Sequence, residues 1–85
     1  MKEFSYSIRD EMGIHARPAG MLVKEAKKYD SSIIISRNGQ SADLKKLFAI
    51  MQLAAKQGDK VRVTVEGKDE EIAAASLERF FQKNL

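Results

Sequence analysis

The chain has 85 residues and a formal net charge of +3, with 44% hydrophobic and 32% charged residues, one proline, one histidine, no cysteine and no tryptophan. A chain this short buries only about 60–65% of its unfolded surface, so residues 1–85 are expected to form a single domain around one core, with any active centre at the surface. The missing cysteines exclude a disulfide framework and a thiolate metal site, no metal or other cofactor is expected, and no apolar run approaches the ~18 residues of a membrane span.

Phe4, Tyr6 and Ile8 alternate with Ser5, Ser7 and Arg9, a period of two that predicts a half-buried strand. After Gly13, the residues Ala19, Leu22, Val23 and Ala26 fall at i, i+3, i+4 and i+7. They predict a helix from about Ala16 to Lys28, with Arg17, Gly20, Met21, Lys24 and Lys28 turned outward. The β-branched run Ser32-Ile33-Ile34-Ile35-Ser36, then Asn38-Gly39 and Gln40-Ser41-Ala42, reads as a hairpin closed by a type I′ turn. From about Lys46 to Ala54 a short helix is apolar all round, with Leu47, Phe48 and Met51 on one side and Ile50, Leu53 and Ala54 on another. Beyond Gly58-Asp59, Val61, Val63 and Val65 alternate with Arg62, Thr64 and Glu66 as a strand that Gly67 ends. Asp69 is the expected N-cap of a last helix, whose first turn carries Glu70 and Glu71 and whose inward stripe reads Ile72, Ala73, Ser76, Leu77 and Phe80.

The resulting order is βαββαβα. Strands with one apolar face and helices with one apolar stripe are satisfied by a single sheet with helices stacked on one side, an open two-layer α+β architecture. The other sheet face should be mostly polar.

Chemistry concentrates at Gly13-Ile14-His15-Ala16-Arg17-Pro18-Ala19, where the only histidine, the only proline and an arginine meet at a strand-to-helix junction. The first amides of a helix lack intrahelical partners and sit at the positive end of its dipole, so they stabilise an anion. Pro18 stiffens the helix entry at no cost in hydrogen bonding. An imidazole there can present a neutral nitrogen as nucleophile near neutral pH, and Arg17 can meet phosphate oxygens with paired hydrogen bonds. A lone histidine beside a helix start is more often a cap or surface residue, and Arg17 alone would be a solvated charge. Their company specifies a phosphorylatable histidine, and no second carboxylate follows closely in sequence to make a hydrolytic site.

This segment resembles the active-site signature of the histidine-containing phosphocarrier family, HPr, of the bacterial phosphoenolpyruvate-dependent sugar phosphotransferase system. The likeness continues through Val23-Lys24-Glu25-Ala26, Asn38-Gly39-Gln40-Ser41, Asp43-Leu44-Lys45, Gln57-Gly58 and Val65-Glu66-Gly67 with Asp69-Glu70, spanning essentially the whole chain. It implies an open-faced β-sandwich with a four-stranded, mainly antiparallel sheet and three helices on one face. It implies that His15 takes a phosphoryl group on Nδ1 from enzyme I and passes it to enzyme IIA domains of sugar permeases. The protein would then be a phosphotransfer protein with a phosphohistidine intermediate rather than a stand-alone enzyme. The alternating amino terminus, which forms no signal-peptide core, predicts a cytoplasmic location, and a monomer is expected. Arg17 would screen the phosphoryl charge, with Ala16, Arg17 and Pro18 forming the phosphate-stabilising helix start. Leu47, Phe48 and Met51 correspond to the partner-facing side, and Gly20, Lys24 and Lys27 should flank His15, the lysines facing acidic partner surfaces.

Three positions depart from the family pattern. Lys46 stands where many members from low-GC Gram-positive bacteria carry a serine phosphorylated by a dedicated kinase, so that regulatory modification is expected to be absent. Met12 replaces a frequent small polar residue, and Gly20 replaces alanine or threonine, which should weaken the helix by roughly 0.5–1 kcal/mol. One rival reading keeps the fold but makes the chain a nitrogen-type or regulatory paralogue whose phosphorylation state signals by protein binding. The other, a βαββαβ RNA-binding module, needs exposed aromatics on central strands and a basic sheet face. Phe4 and Tyr6 share the apolar side of their strand, the Val61–Val65 strand has no aromatic, and the charges are interspersed, so no nucleic-acid partner is expected.

Overall fold

Alternation of side chains sets the register of the sheet. The computed structural model describes residues 1–85 and comprises, in order, β1 (Lys2–Ser7), α1 (Ala16–Ala26), β2 (Ser32–Arg37), β3 (Gln40–Asp43), α2 (Leu47–Leu53), β4 (Lys60–Glu66) and α3 (Glu70–Asn84). The strands form one four-stranded antiparallel sheet in the order β1-β4-β2-β3. Phe4 pairs with Val63 and Tyr6 with Val61, while Ile33 and Ile35 on β2 face Val65 and Val63. This register puts the apolar residues of all three strands on one face. The helices cover that face, giving the open-faced α+β sandwich.

The covered face and the helix stripes make one core. Val61, Val63, Val65, Ile33 and Ile35 lie against Leu22, Ala26, Ile50, Leu77 and Phe81, all essentially inaccessible to water. The Phe81 ring receives Phe4 and Tyr6 edge-on, each at 5.6 Å between centroids, which favours the aromatic quadrupoles. On the open face Ser5, Ser7, Ser36, Arg62 and Thr64 meet solvent, and only the half-buried Ile34 interrupts them. Asn38 (φ 52°) and Gly39 (φ 81°) carry the two left-handed positions that a type I′ hairpin turn requires.

Several expectations need correction. In α3 the inward row is Ala73, Leu77 and Phe81, whereas Ile72 is 67% exposed and Ser76 and Phe80 are only half-buried. The i, i+4, i+8 row that places Phe81 between the two β1 rings wins over the row that begins at Ile72. Helix α1 stops at Ala26, two residues short of Lys28, where the Lys28 amide donates to Glu25 and tightens the last turn. Helix α2 stops at Leu53, with Ala54 in the left-handed region (φ 54°) as its C-cap. Asp69 occupies the N-cap position of α3, but its side chain makes no capping bond. It accepts instead from the Asp30 and Ser31 amides, at 2.9 and 3.0 Å, and from the Ser31 hydroxyl, tying α3 to the entry of β2.

Candidate functional site

The segment between β1 and α1 is fixed by its backbone before it reaches the imidazole. Buried Ile8 donates its N–H to the Asp59 carbonyl at 2.9 Å, and its carbonyl accepts from the Gly58 amide at 2.8 Å. The Arg9 and Asp10 amides both donate to the Leu85 oxygen beyond α3, at 2.6 and 2.8 Å. The Arg9 guanidinium adds a bond to the Gln82 carbonyl at 2.6 Å. Gly13 then turns the chain with φ +67°, and the Ile14 amide donates to the Ala55 carbonyl at 3.0 Å. The loop is thereby pinned to both ends of the turn region before β4.

His15 is the N-cap residue of α1, with extended backbone (φ −107°, ψ −177°), and its carbonyl accepts the Ala19 amide at 2.9 Å. Its side chain makes no capping bond and is 32% exposed, so the ring is reachable from water. The amides of Ala16 and Arg17 have no partner within the protein, and Pro18 has no N–H to leave unpaired. No acidic residue stands in the first turn, which leaves the positive end of the dipole unanswered. Arg17 is exposed and its guanidinium is held by neither an ion pair nor a hydrogen bond. His15, Arg17, Pro18 and Met21 line an open depression of about 280 Å³ with Asp10 and Asn84. Elsewhere, no group of three His, Cys, Asp or Glu side chains stands close enough to hold a metal ion, and no helix is long and apolar enough to cross a membrane.

The surface around the depression is partly apolar. Helix α2 packs beside α1, with Ile50 and Leu53 buried, Leu47 packed partly against the core, Met51 37% exposed and Phe48 75% exposed. Gly20 faces open space, since a Cβ there would meet nothing within 4 Å. Lys24 and Lys27 are exposed but lie in the last turn and at the C-cap of α1, about 14 and 18 Å along the axis from His15 at the usual rise. Of the expected flanking residues, only Gly20 lies within two helical turns of His15. Lys46 is the N-cap residue of α2 and makes no capping bond.

The sequence singles out neither Met21, Asp10 nor Asn84 as a site residue, and marks Met12 only as a departure from the family pattern. Met21 lies one turn beyond Arg17 on the same helical face, a signal available at i, i+4. Met12, 69% exposed, lies in the same loop as the imidazole. Asp10 accepts the Met12 amide through Oδ1 at 2.8 Å, and the same oxygen lies 4.0 Å from His15 Nε2. Asn84 arrives from the far end of the chain, and only the folded tether through Leu85 brings it there.

Comparison with known proteins fits this geometry. Residues 2–83 match the family model described as the PTS HPr component phosphorylation site. The chain is 35% identical to the phosphocarrier protein HPr of Mycoplasma genitalium over 85 residues, which cover 99% of this chain and 97% of that protein. It superposes on the histidine-containing phosphocarrier protein of Mycoplasma with a TM-score of 0.94 at 34% identity, covering 96% of this chain and 93% of the other. The HPr of Thermoanaerobacter tengcongensis superposes with a TM-score of 0.93 at 35% identity, covering 98% and 93%.

Proposed function

The chain belongs to the HPr phosphocarrier family, and from that premise we propose that His15 accepts a phosphoryl group from phosphorylated enzyme I and hands it to enzyme IIA domains for sugar uptake. The observation that carries the reading is the water-accessible imidazole at the N-cap of α1, beside two unpaired amides and an unengaged guanidinium. Once Nδ1 has attacked phosphorus, the phosphoryl oxygens are met by the Ala16 and Arg17 amides and by the Arg17 side chain. The site is open and shallow, so it holds the phosphorylated state without burying it, and the group remains available to a partner. In-line positioning of two imidazoles falls to the docked complex, where alignment and charge stabilisation dominate the barrier. Leu47, Phe48, Met51 and Gly20 form the docking side, with Lys24 and Lys27 at its rim towards acidic partners. Lys46 offers no hydroxyl, so no regulatory phosphorylation is placed there.

Incubation with enzyme I and phosphoenolpyruvate should yield an acid-labile, alkali-stable phosphate, and His15→Ala should abolish it. Equal incorporation in His15→Ala would remove the site. Onward transfer to a sugar-specific enzyme IIA separates uptake from the signalling paralogue, which would accept phosphate without feeding that partner.

A further inference from the structure

We propose that Asp10 is the positioning residue for His15, its carboxylate holding a proton on Nε2 so that Nδ1 carries the phosphate. This rests on the phosphocarrier reading and assigns to it a residue outside the helix-start signature. Asp10 Oδ1 lies 4.0 Å from Nε2, and Asp10 is the only carboxylate lining the depression. The carboxylate is itself held in place: its backbone amide donates to the Leu85 oxygen at 2.8 Å, and Oδ1 accepts the Met12 amide at 2.8 Å. At 4.0 Å the carboxylate acts on Nε2 through its charge. Arg17, from α1, is the other charged side chain lining the depression, and the end of α3 brings the uncharged Asn84 and the Leu85 oxygen that accepts the Asp10 amide. Arg9, in the same loop, is turned to the Tyr6 hydroxyl and the Gln82 carbonyl.

The division of labour between the two nitrogens follows. With a proton on Nε2, the neutral ring has its free electron pair on Nδ1. Attack by Nδ1 forms the N–P bond as the donor's bond to phosphorus breaks, and the ring becomes cationic with Nε2 still protonated. Asp10 offsets that charge from the side away from the phosphoryl group, where Arg17 offsets the opposite sign. On transfer onward the N–P bond breaks, its electron pair returns to Nδ1, and the ring is again neutral with the same proton on Nε2. No proton enters or leaves in either direction, and the cationic ring is the better leaving group.

Phosphoramidate phosphorylates histidine without enzyme I, so the test does not depend on the partner. The purified protein is phosphorylated with it, and the ring ¹⁵N signals and phosphate hydrolysis are followed from acid to alkaline pH. Asp10→Asn keeps the oxygen that accepts the Met12 amide and removes only the charge. At a fixed pH the share of the ring that keeps its proton on Nε2 should be smaller than in wild type, and the hydrolysis profile should be displaced with it. Asp10→Ser, also a short uncharged acceptor, should show the same displacement. Coincident titrations in wild type and both variants overturn the proposal, as does a displacement seen only where the Met12 amide signal has collapsed. An Asp10-dependent displacement in a protein that enzyme I cannot phosphorylate would instead overturn the carrier reading.

Discussion

Gly13 decides whether the site residues meet at all. Its φ of +67° is in the left-handed region, and an added Cβ would press on the Ala55 carbonyl and lie 2.8 Å from Lys56 Cα, both backbone atoms that cannot swing aside. The adjacent Ile14 amide bonds to that same Ala55 carbonyl, so relieving the clash means losing the bond that sets the start of α1. Gly13→Ala should therefore cost about 2–3 kcal/mol, from positive-φ strain together with the displaced contact. Urea unfolding monitored by circular dichroism measures it, and a loss below about 0.5 kcal/mol would show that the loop relaxes freely. Gly20 gives the contrast within the same segment, since its missing methyl faces open space and its substitution meets no such resistance.

At the scale of elements, strands and amphipathic helices were legible because each signal is local. The valines of β4 and the isoleucines of β2 declare their buried face by alternation alone, and Asn38-Gly39 declares its turn through the φ values it tolerates. The stripe of α3 was not legible to the residue, because Ile72 and Phe81 compete for one face and the choice depends on the β1 rings that Phe81 meets. Asp10 and Asn84 were illegible for a related reason: the tether of the loop to Leu85 joins the two ends of the chain. Helix α2 was legible as an excess, since a short helix apolar on every side cannot bury every side in a two-layer domain. Phe48, 75% exposed, is that excess made visible. Phe48→Ser should shift folding stability by no more than about 0.5 kcal/mol, as for other surface changes, while weakening enzyme I binding at least tenfold if the ring is an aromatic anchor. Calorimetric titration beside urea unfolding separates the two, and a destabilised variant with unchanged affinity would reassign the ring to packing.

Across the whole molecule, four carboxylates join segments that the sheet and core leave to be fastened. Glu25 on α1 accepts from Ser76 on α3 at 2.7 Å and from Lys28, which together hold its carboxyl below the ordinary glutamate range. Asp59 is lowered by the Lys56 amide and by Arg37 of β2, whose Nε is 2.7 Å away. Asp69 is lowered by the Ser31 hydroxyl and the Asp30 amide, and Glu70 by the Met1 amino group at 2.6 Å and the Gly67 amide. All four shifts have one sign: each carboxyl holds its proton less tightly folded than unfolded, so in acid the unfolded chain binds more protons. Stability from these ties is complete above about pH 5 and drains away as pH falls through about 4 and below, where the unfolded carboxyls protonate first. Glu25 with Lys28, Asp59 with Arg37 and Glu70 with the Met1 amino group each include a cation, so raising ionic strength should flatten the acid limb in part. Asp69→Asn keeps an oxygen for the β2 entry but cannot titrate. Its unfolding temperature should begin lower than wild type at neutral pH and converge with it in acid, and scanning calorimetry from pH 7 to pH 3 reads the difference. Parallel curves throughout would mean that the Ser31–Asp69 tie contributes equally in both protonation states, and the acid limb would then belong to the other three carboxylates.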